Sequence, residues 1–355
     1  MPVPQQRDPE LTRKRLTDWL SRRLPENAGA ELSVTVPERA GFSHETLLVR
    51  LTGPGPGGAG GRRLVVRVAP DRHRVMPLER LGEEYRVLEA LVGTDVPVPR
   101  PCGHEPDPAV LGAPFYVMEY VDGWTPPDLP SYHRAGPVAE LDEPSRQRLW
   151  WHGVDVLHRV HRLSPAAHGL GFLARSRTAP SGLTGQLDFY EGHLDHFGCA
   201  GSPLAADTLR ELRDTRPPEP ENPGLVWGDA RLGNLLFRGV RPAAVVDWEM
   251  AFLGPGEADL GWFLYLDRHL SEGVGAERLP GLPDRSRTIE RYEALTGRSV
   301  AGHMGWYELF AGLRFALIAS RVGRLLVEHG LAASEKDIPL AANAARLLER
   351  TLRAR

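Results

Sequence analysis

Three side chains able to do oxygen chemistry stand at short, fixed spacing in the second half of the chain: Asp229, Asn234 and Asp247. The amide lies five positions after the first carboxylate, and the second carboxylate lies thirteen beyond the amide. Each carboxylate closes an apolar run, Leu225-Val226-Trp227 in one case and Val245-Val246 in the other, so each belongs on a short loop beside a strand. One carboxylate can orient a hydroxyl and take its proton, while the amide and the other carboxylate can hold Mg²⁺ on nucleotide phosphates. Phosphoryl transfer passes through a loose transition state, so an enzyme mainly positions groups and neutralises charge. Gly-Asp or Asp-Trp alone is an ordinary turn at a strand end. The joint spacing after two apolar runs is what points to chemistry.

Bulk properties narrow the partners. A chain of 355 residues can build a large core and divides naturally into two lobes. Its net charge of −3 carries no basic excess, which speaks against nucleic acid and anionic membrane surfaces. Lys14 and Lys336 are the only lysines, so the cations are almost all arginine. Cys102 and Cys199 form no disulfide or thiolate framework. Residues 1–10 are polar, and no run approaches a membrane span. A cytoplasmic protein is expected.

The elements that must position the triplet follow from periodicity. Leu11 to Leu24 reads as a short amphipathic helix. Leu32 to Val36, Thr46 to Leu51, Arg63 to Val68 and Phe115 to Val121 read as strands, with a glycine-rich connection over 53–61. Glu79 to Val92 reads as a helix, and Val96 to Pro101 is extended because each proline excludes helix at the residue before it. Counting that segment, five strands and one helix make a small α+β lobe over 1–121. Residues 122–355 are mostly helical, with helices over 146–163, 259–270, 285–296, 303–329 and 339–353, interrupted by the strands that carry the carboxylates.

Trp227-Gly228-Asp229-Ala230-Arg231-Leu232-Gly233-Asn234, followed by Val245-Val246-Asp247-Trp248-Glu249, resembles the catalytic and metal-binding loops of the aminoglycoside phosphotransferase family. That family has a bilobal protein-kinase-like fold and is related to choline kinases. Its first motif usually reads His-Gly-Asp-x-x-x-x-Asn, and here Trp227 stands where the His usually is. The resemblance implies an ATP- or GTP-dependent phosphotransferase acting on a small-molecule hydroxyl, with Asp229 as catalytic base and Asn234 and Asp247 as Mg²⁺ ligands. It also implies a strand cation on the phosphates held by a helix carboxylate. Arg67 and Glu84 fill those places, with Glu83 as the competing partner and Arg standing where Lys is usual. Gly41-Phe42-Ser43-His44-Glu45-Thr46 is similar to the family's phosphate-covering Gly-x-Ser-Asn-x-Thr turn, with His44 in place of Asn. The Glu119 carbonyl and Val121 amide take the adenine-pairing positions, with Met118 behind them.

Several residues carry quieter expectations. Asp259 opens a helix, where it can cap or order the turn after the metal loop. His158 with His161 and His193 with His196 have zinc-like spacing but no third ligand in register, so they read as ordinary satisfied histidines. Asp188, Glu191, Asp195, Glu257, Asp267 and Glu308 could supply an acidic acceptor cleft. Trp262, Trp306 and Tyr307 could instead line a more apolar one. The competing function is a nucleotide-binding pseudokinase, motivated by Trp227 and Arg67.

Overall fold

Period-two alternation in the first part of the chain builds a sheet with two unlike faces. The computed structural model describes residues 7–37, 43–53, 61–70, 73–176, 178, 180–334 and 338–355. It forms two compact units, one of Met1–Glu89 with Pro99–Val121 and one of Ala90–Val98 with Asp122–Arg355.

The first unit begins with helix α1 (Pro9–Arg23), whose N-cap Asp8 accepts from the Leu11 amide at 2.7 Å. Strands β1 (Glu31–Thr35), β2 (Glu45–Thr52) and β3 (Arg62–Val68) follow, then helix α2 (Leu81–Leu91), β4 (Pro101–Glu105) and β5 (Phe115–Glu119). The sheet is antiparallel in the order β1-β2-β3-β5-β4. Leu47, Val49 and Leu51, Leu64, Val66 and Val68, and Phe115 and Val117 form one buried core with Leu16, Trp19 and Leu20 of α1. Side chains one position out of phase point to the other face. There Thr46 pairs in register with Arg67, and Arg67 with Tyr116. The fifth strand is displaced from the sequence expectation. Residues 96–100 form no strand, and the ladder register with β5 starts at Pro101, although the Arg100 carbonyl already accepts from the Glu119 amide at 2.8 Å. Prolines at 97 and 99 have no N–H to give a ladder.

The second unit carries α3 (Pro137–Glu140), α4 (Glu143–His161), α5 (Gly182–Gly192) and α6 (Pro203–Asp214). Strands β6 (Gly224–Val226), β7 (Leu235–Arg238), β8 (Arg241–Val245) and β9 (Phe252–Gly254) come next, followed by α7 (Glu257–Leu270), α8 (Arg285–Thr296), α9 (Met304–Glu328) and α10 (Pro339–Arg353). β6 pairs with β9, and β7 with β8, both antiparallel. The nesting of one pair inside the other brings the β6–β7 and β8–β9 connections side by side. Those connections carry Asp229 and Asp247. Helix α7 is buried on nearly every side, and its Glu257, Asp259, Asp267 and His269 are buried with its apolar residues. No helix among the described residues is long and apolar enough to cross a membrane.

One buried charge cluster fastens α7 to its surroundings. Asp267 accepts from Tyr132 Oη at 2.5 Å, lies 3.1 Å from His133 Nε2, and accepts from Arg278 Nε at 2.7 Å. Burial pushes the Asp267 carboxyl up, but the His133 hydrogen bond and the Arg278 charge outweigh it and hold the group below its ordinary value. A lowered carboxylate pKa stabilises the fold above the unfolded value of about 4, and that contribution disappears as pH falls through the folded value. Asp267→Asn is therefore expected to lose ~3 kcal/mol at pH 7, because it leaves the half-buried Arg278 without its counter-ion and gives the buried Tyr132 and His133 a poorer partner. Denaturant unfolding followed by tryptophan fluorescence should show the gap to wild type closing at pH 3.

Candidate active site

The second unit gathers the triplet. Asn234 Nδ2 donates to the Asp229 carbonyl at 3.0 Å and to Asp229 Oδ2 at 2.6 Å. With its nitrogen so engaged, the amide turns its oxygen away from Asp229, as a metal ligand must. Asp229 Oδ2 also accepts from Arg231 Nε at 3.1 Å, and Oδ1 accepts from the Trp262 indole at 2.7 Å. Both carboxylate oxygens are thus held from different sides. Asp247 is half-buried and sits at φ 64°, the one non-glycine residue at positive φ among those described. Asp tolerates this region better than most residues, and such backbone outliers cluster at functional sites.

The two loops are tied together by main-chain contacts. The Trp227 indole donates to the carbonyls of Val246 and Asp247, both at 3.0 Å, and its ring lies 5.8 Å from that of Trp248. Gly228 has φ +92°, and a Cβ there would lie 2.1 Å from the Met250 carbonyl oxygen, so only glycine fits. Asp259 lies in the first turn of α7 but does not cap it. Its Oδ2 accepts from the Trp227 amide at 2.7 Å and its Oδ1 from the Gly228 amide at 2.8 Å. His161 Nε2 lies 2.9 Å from the same Oδ2, and its Nδ1 is 2.7 Å from the Tyr292 hydroxyl. The ordering role expected of Asp259 is therefore exerted on the Asp229 loop, with His161 behind it. Trp227→Phe removes one donor from two carbonyls. It is expected to lower stability by ~1–3 kcal/mol, read by chemical denaturation.

Arg231, which the sequence reading passed over, is the cation nearest Asp229. It also pairs with Asp128. Burial disfavours its charge, but the Asp128 and Asp229 carboxylates more than offset this and raise its pKa. Its signal in the sequence was an Arg two positions after the candidate base. Trp262 gave no such signal, because its contact depends on α7 crossing the loop.

In the first unit, Arg67 Nη1 donates to Thr46 Oγ1 at 2.9 Å, and Nη2 lies 3.2 Å from His44 Nδ1. His44 Nε2 lies 3.8 Å from Glu79. Burial pushes the Glu79 carboxyl up, yet the His44 imidazole beside it brings it below its ordinary value. Thus His44, beside Ser43, links Arg67 to Glu79. The expected Arg67–Glu84 ion pair is not formed. Glu84 Oε1 instead accepts from Tyr116 Oη at 3.0 Å, and Oε2 is buried without a partner. The competing Glu83 accepts from Arg80 Nε at 3.0 Å. The reason lies in the register: Tyr116 stands directly opposite Arg67 and presents its hydroxyl on the same face. Gly41 and Phe42 lie outside the described residues. Met118 is buried, and the Glu119 side chain pairs with Arg62 at 2.6 Å. The Tyr120 amide donates to the Arg63 carbonyl, whereas the Val121 amide makes no hydrogen bond among the described residues.

The model of the phosphotransferase enzyme family matches residues 35–295. The chain belongs to that family. A phosphotransferase with this α+β, protein-kinase-like fold has close structural company. A Ralstonia eutropha JMP134 protein provisionally described as an aminoglycoside phosphotransferase is 26% identical, with a TM-score of 0.73 over 96% of this chain and 97% of that one. A thermostable mutant of aminoglycoside phosphotransferase APH(4)-Ia, in ternary complex with ADP and hygromycin B, superimposes with a TM-score of 0.57 at 14% identity over 96% and 98%. Acyl-CoA dehydrogenase family member 11 of Mus musculus is 26% identical over 95% of this phosphotransferase but only 43% of its own length. The chain spans less than half the length of the curated relatives it matches first.

The remaining expectations for this phosphotransferase separate cleanly. His161 is engaged by Asp259 and Tyr292, and His193 Nδ1 lies 2.7 Å from the Phe189 carbonyl. Trp306 and Tyr307 are core residues, 2% and 3% exposed, rather than a pocket lining. Among the candidate acceptor acids, Asp188 and Glu191 pair with Arg213, Glu257 with Arg298, Asp267 with Arg278 and Glu308 with Arg285.

Proposed function

We propose that this phosphotransferase moves the γ-phosphate of ATP or GTP to a hydroxyl of a small molecule, with Asp229 as the base. The observation carrying this reading is the three-sided hold on the Asp229 carboxylate by Trp262, Asn234 and Arg231. A general base must be fixed toward the proton it takes. Asn234 and Asp247 are the residues suited to hold Mg²⁺. The fit rests on hard oxygen donors, on the Asn234 amide nitrogen being engaged by Asp229 so that its oxygen is left for a metal, and on the Asp247 backbone held by Trp227. The ion would supply charge neutralisation on the phosphates. Arg231 is assigned to the transferring phosphoryl group, whose charge it can offset. Arg67, Ser43 and Glu84 are assigned to the phosphate end of the nucleotide. Met118, Glu119 and Val121 are assigned to its base, with the free Val121 amide as donor. The Asp229 proton is released to solvent after transfer, and the products are the nucleoside diphosphate and a phosphate monoester.

The acceptor we favour is a hydroxyacyl compound rather than an aminoglycoside. A polycationic acceptor needs uncommitted carboxylates. Five of the six candidate acids are neutralised by arginines of the same chain. The relatives named as acyl-CoA dehydrogenase family members add a chemical pointer to acyl substrates. A panel of hydroxyacyl thioesters, free hydroxy acids, sugars, macrolides and aminoglycosides, each with labelled ATP or GTP, tests the proposal. Label transfer to hydroxyacyl members is the expected result. Transfer only to aminoglycosides would overturn the acceptor assignment, and no transfer to any alcohol would favour the pseudokinase reading.

A further inference from the structure

We infer that Arg314 and Trp262 act as a positioning pair that fixes the orientation of the Asp229 carboxylate, an inference resting on Asp229 being the base. Arg314, on α9, is 1% exposed. Its Nη2 donates to the Gly228 carbonyl at 2.9 Å, and its Nε donates to the Tyr190 hydroxyl at 3.2 Å. The guanidinium carbon lies 4.6 Å from the centroid of the Trp262 ring and 5.1 Å from that of Phe310. Trp262, on α7, is 2% exposed and gives its indole N–H to Asp229 Oδ1 at 2.7 Å. Arg314 thus touches both supports of the base: the peptide just before Asp229 and the ring that holds its carboxylate.

The composition of this contact is unusual for a core. No carboxylate pairs with Arg314 among the described residues, and its Nη1 is buried without a hydrogen-bond partner. A buried cation lacking a counter-ion is costly, and an apolar residue would fill the space at less expense. What the guanidinium provides that an apolar residue cannot is a donor to the Gly228 carbonyl and a charge on the face of Trp262. Trp262 faces Phe315 edge-on, with centroids 6.2 Å apart, so the ring is held from that side as well. Asp229 in turn is pinned at Oδ1 by Trp262 and at Oδ2 by Asn234 and Arg231. Removing the first support lets the carboxylate rotate about its remaining contacts and lose its aim at the acceptor hydroxyl.

The test compares Trp262→Phe, Arg314→Met, Arg314→Lys, the Trp262→Phe/Arg314→Met double variant and Asp229→Asn, using the acceptor found by the panel. Trp262→Phe keeps an aromatic face for Arg314 while removing the N–H with the smaller ring of the indole, a large-to-smaller aromatic change that is expected to fold. A fall in kcat of about 10- to 100-fold is expected for Trp262→Phe and Arg314→Met, with the nucleotide KM unchanged. Arg314→Lys, which keeps the charge and a donor, should recover at least a third of the loss. The double variant should lose no more than about threefold beyond the worse single variant, because the two residues act through one carboxylate. Multiplicative losses, a rise in nucleotide KM, or wild-type kcat in Trp262→Phe would overturn the pairing. Retained activity in Asp229→Asn would instead remove the reading of Asp229 as base, so the two failures are distinguishable.

Discussion

Asp229→Asn should lower kcat by about 10²- to 10⁴-fold, the range a positioned general base contributes. The nucleotide KM should change far less than kcat, because Arg231 keeps its pairing with Asp128 and Asn234 keeps its bond to the main-chain carbonyl of residue 229. The variant is informative because it fails in two ways at once. The amide cannot take a proton from a hydroxyl at neutral pH. Nor can it satisfy its neighbours: donors approach both oxygens, so whichever way the Asn is flipped its NH₂ meets another donor. Asp229→Ala avoids that clash and leaves Arg231 still paired with Asp128. If the activity loss came only from donor–donor repulsion, Asp229→Ala would be the more active of the two. Equal losses in both variants, with retained nucleotide binding by calorimetry, are the expected result. Near-wild-type turnover in Asp229→Ala would remove Asp229 from the base role.

Much of this arrangement was readable from the sequence, and the unreadable part has a common cause. Asp229, Asn234 and Asp247 announced themselves because their spacing is local, set by short loops between short strands. The alternating strands and the helix of the first unit were legible for the same reason, since their periods are written in consecutive residues. The ranges read for 285–296 and 339–353 coincide with α8 and α10. What escaped were contacts between elements far apart in the chain. Trp262 reaches Asp229 across 33 positions, and Arg314 reaches Gly228 across 86. Neither contact has a local signature: Trp262 read only as a possible lining of an apolar acceptor cleft, and Arg314 drew no expectation. The Arg67–Glu84 expectation failed on register, because a tyrosine directly opposite the arginine offers the nearer donor. Trp227 could be flagged as a departure from the usual motif, but its compensation could not. Only the nested strand pairs reveal that its indole lies against the Val246 and Asp247 carbonyls.

Replacing Asp247 separates its metal role from its backbone role. The residue holds φ 64°, where an L side chain is disfavoured by roughly 1–2 kcal/mol and glycine is not. Asp247→Ala should therefore lose both the carboxylate and the tolerance that Asp has for this conformation, lowering the melting temperature of the nucleotide-free protein. Asp247→Gly should lose the carboxylate alone and melt close to wild type without nucleotide. Both variants should lose the Mg²⁺-dependent part of the nucleotide-induced stabilisation. For wild type at one hundred times Kd the whole ligand-induced stabilisation is worth about 2.7 kcal/mol, which bounds that part from above. The glycine variant is the sharper test, since its fold is expected to be intact. An unchanged Mg²⁺-dependent shift in Asp247→Gly would mean that the carboxylate does not hold the metal, and that the strained φ serves the packing of Trp227 instead. Loss of the shift in both variants, with unfolding of the free protein affected only in Asp247→Ala, would assign the strain to holding a metal-binding carboxylate in place.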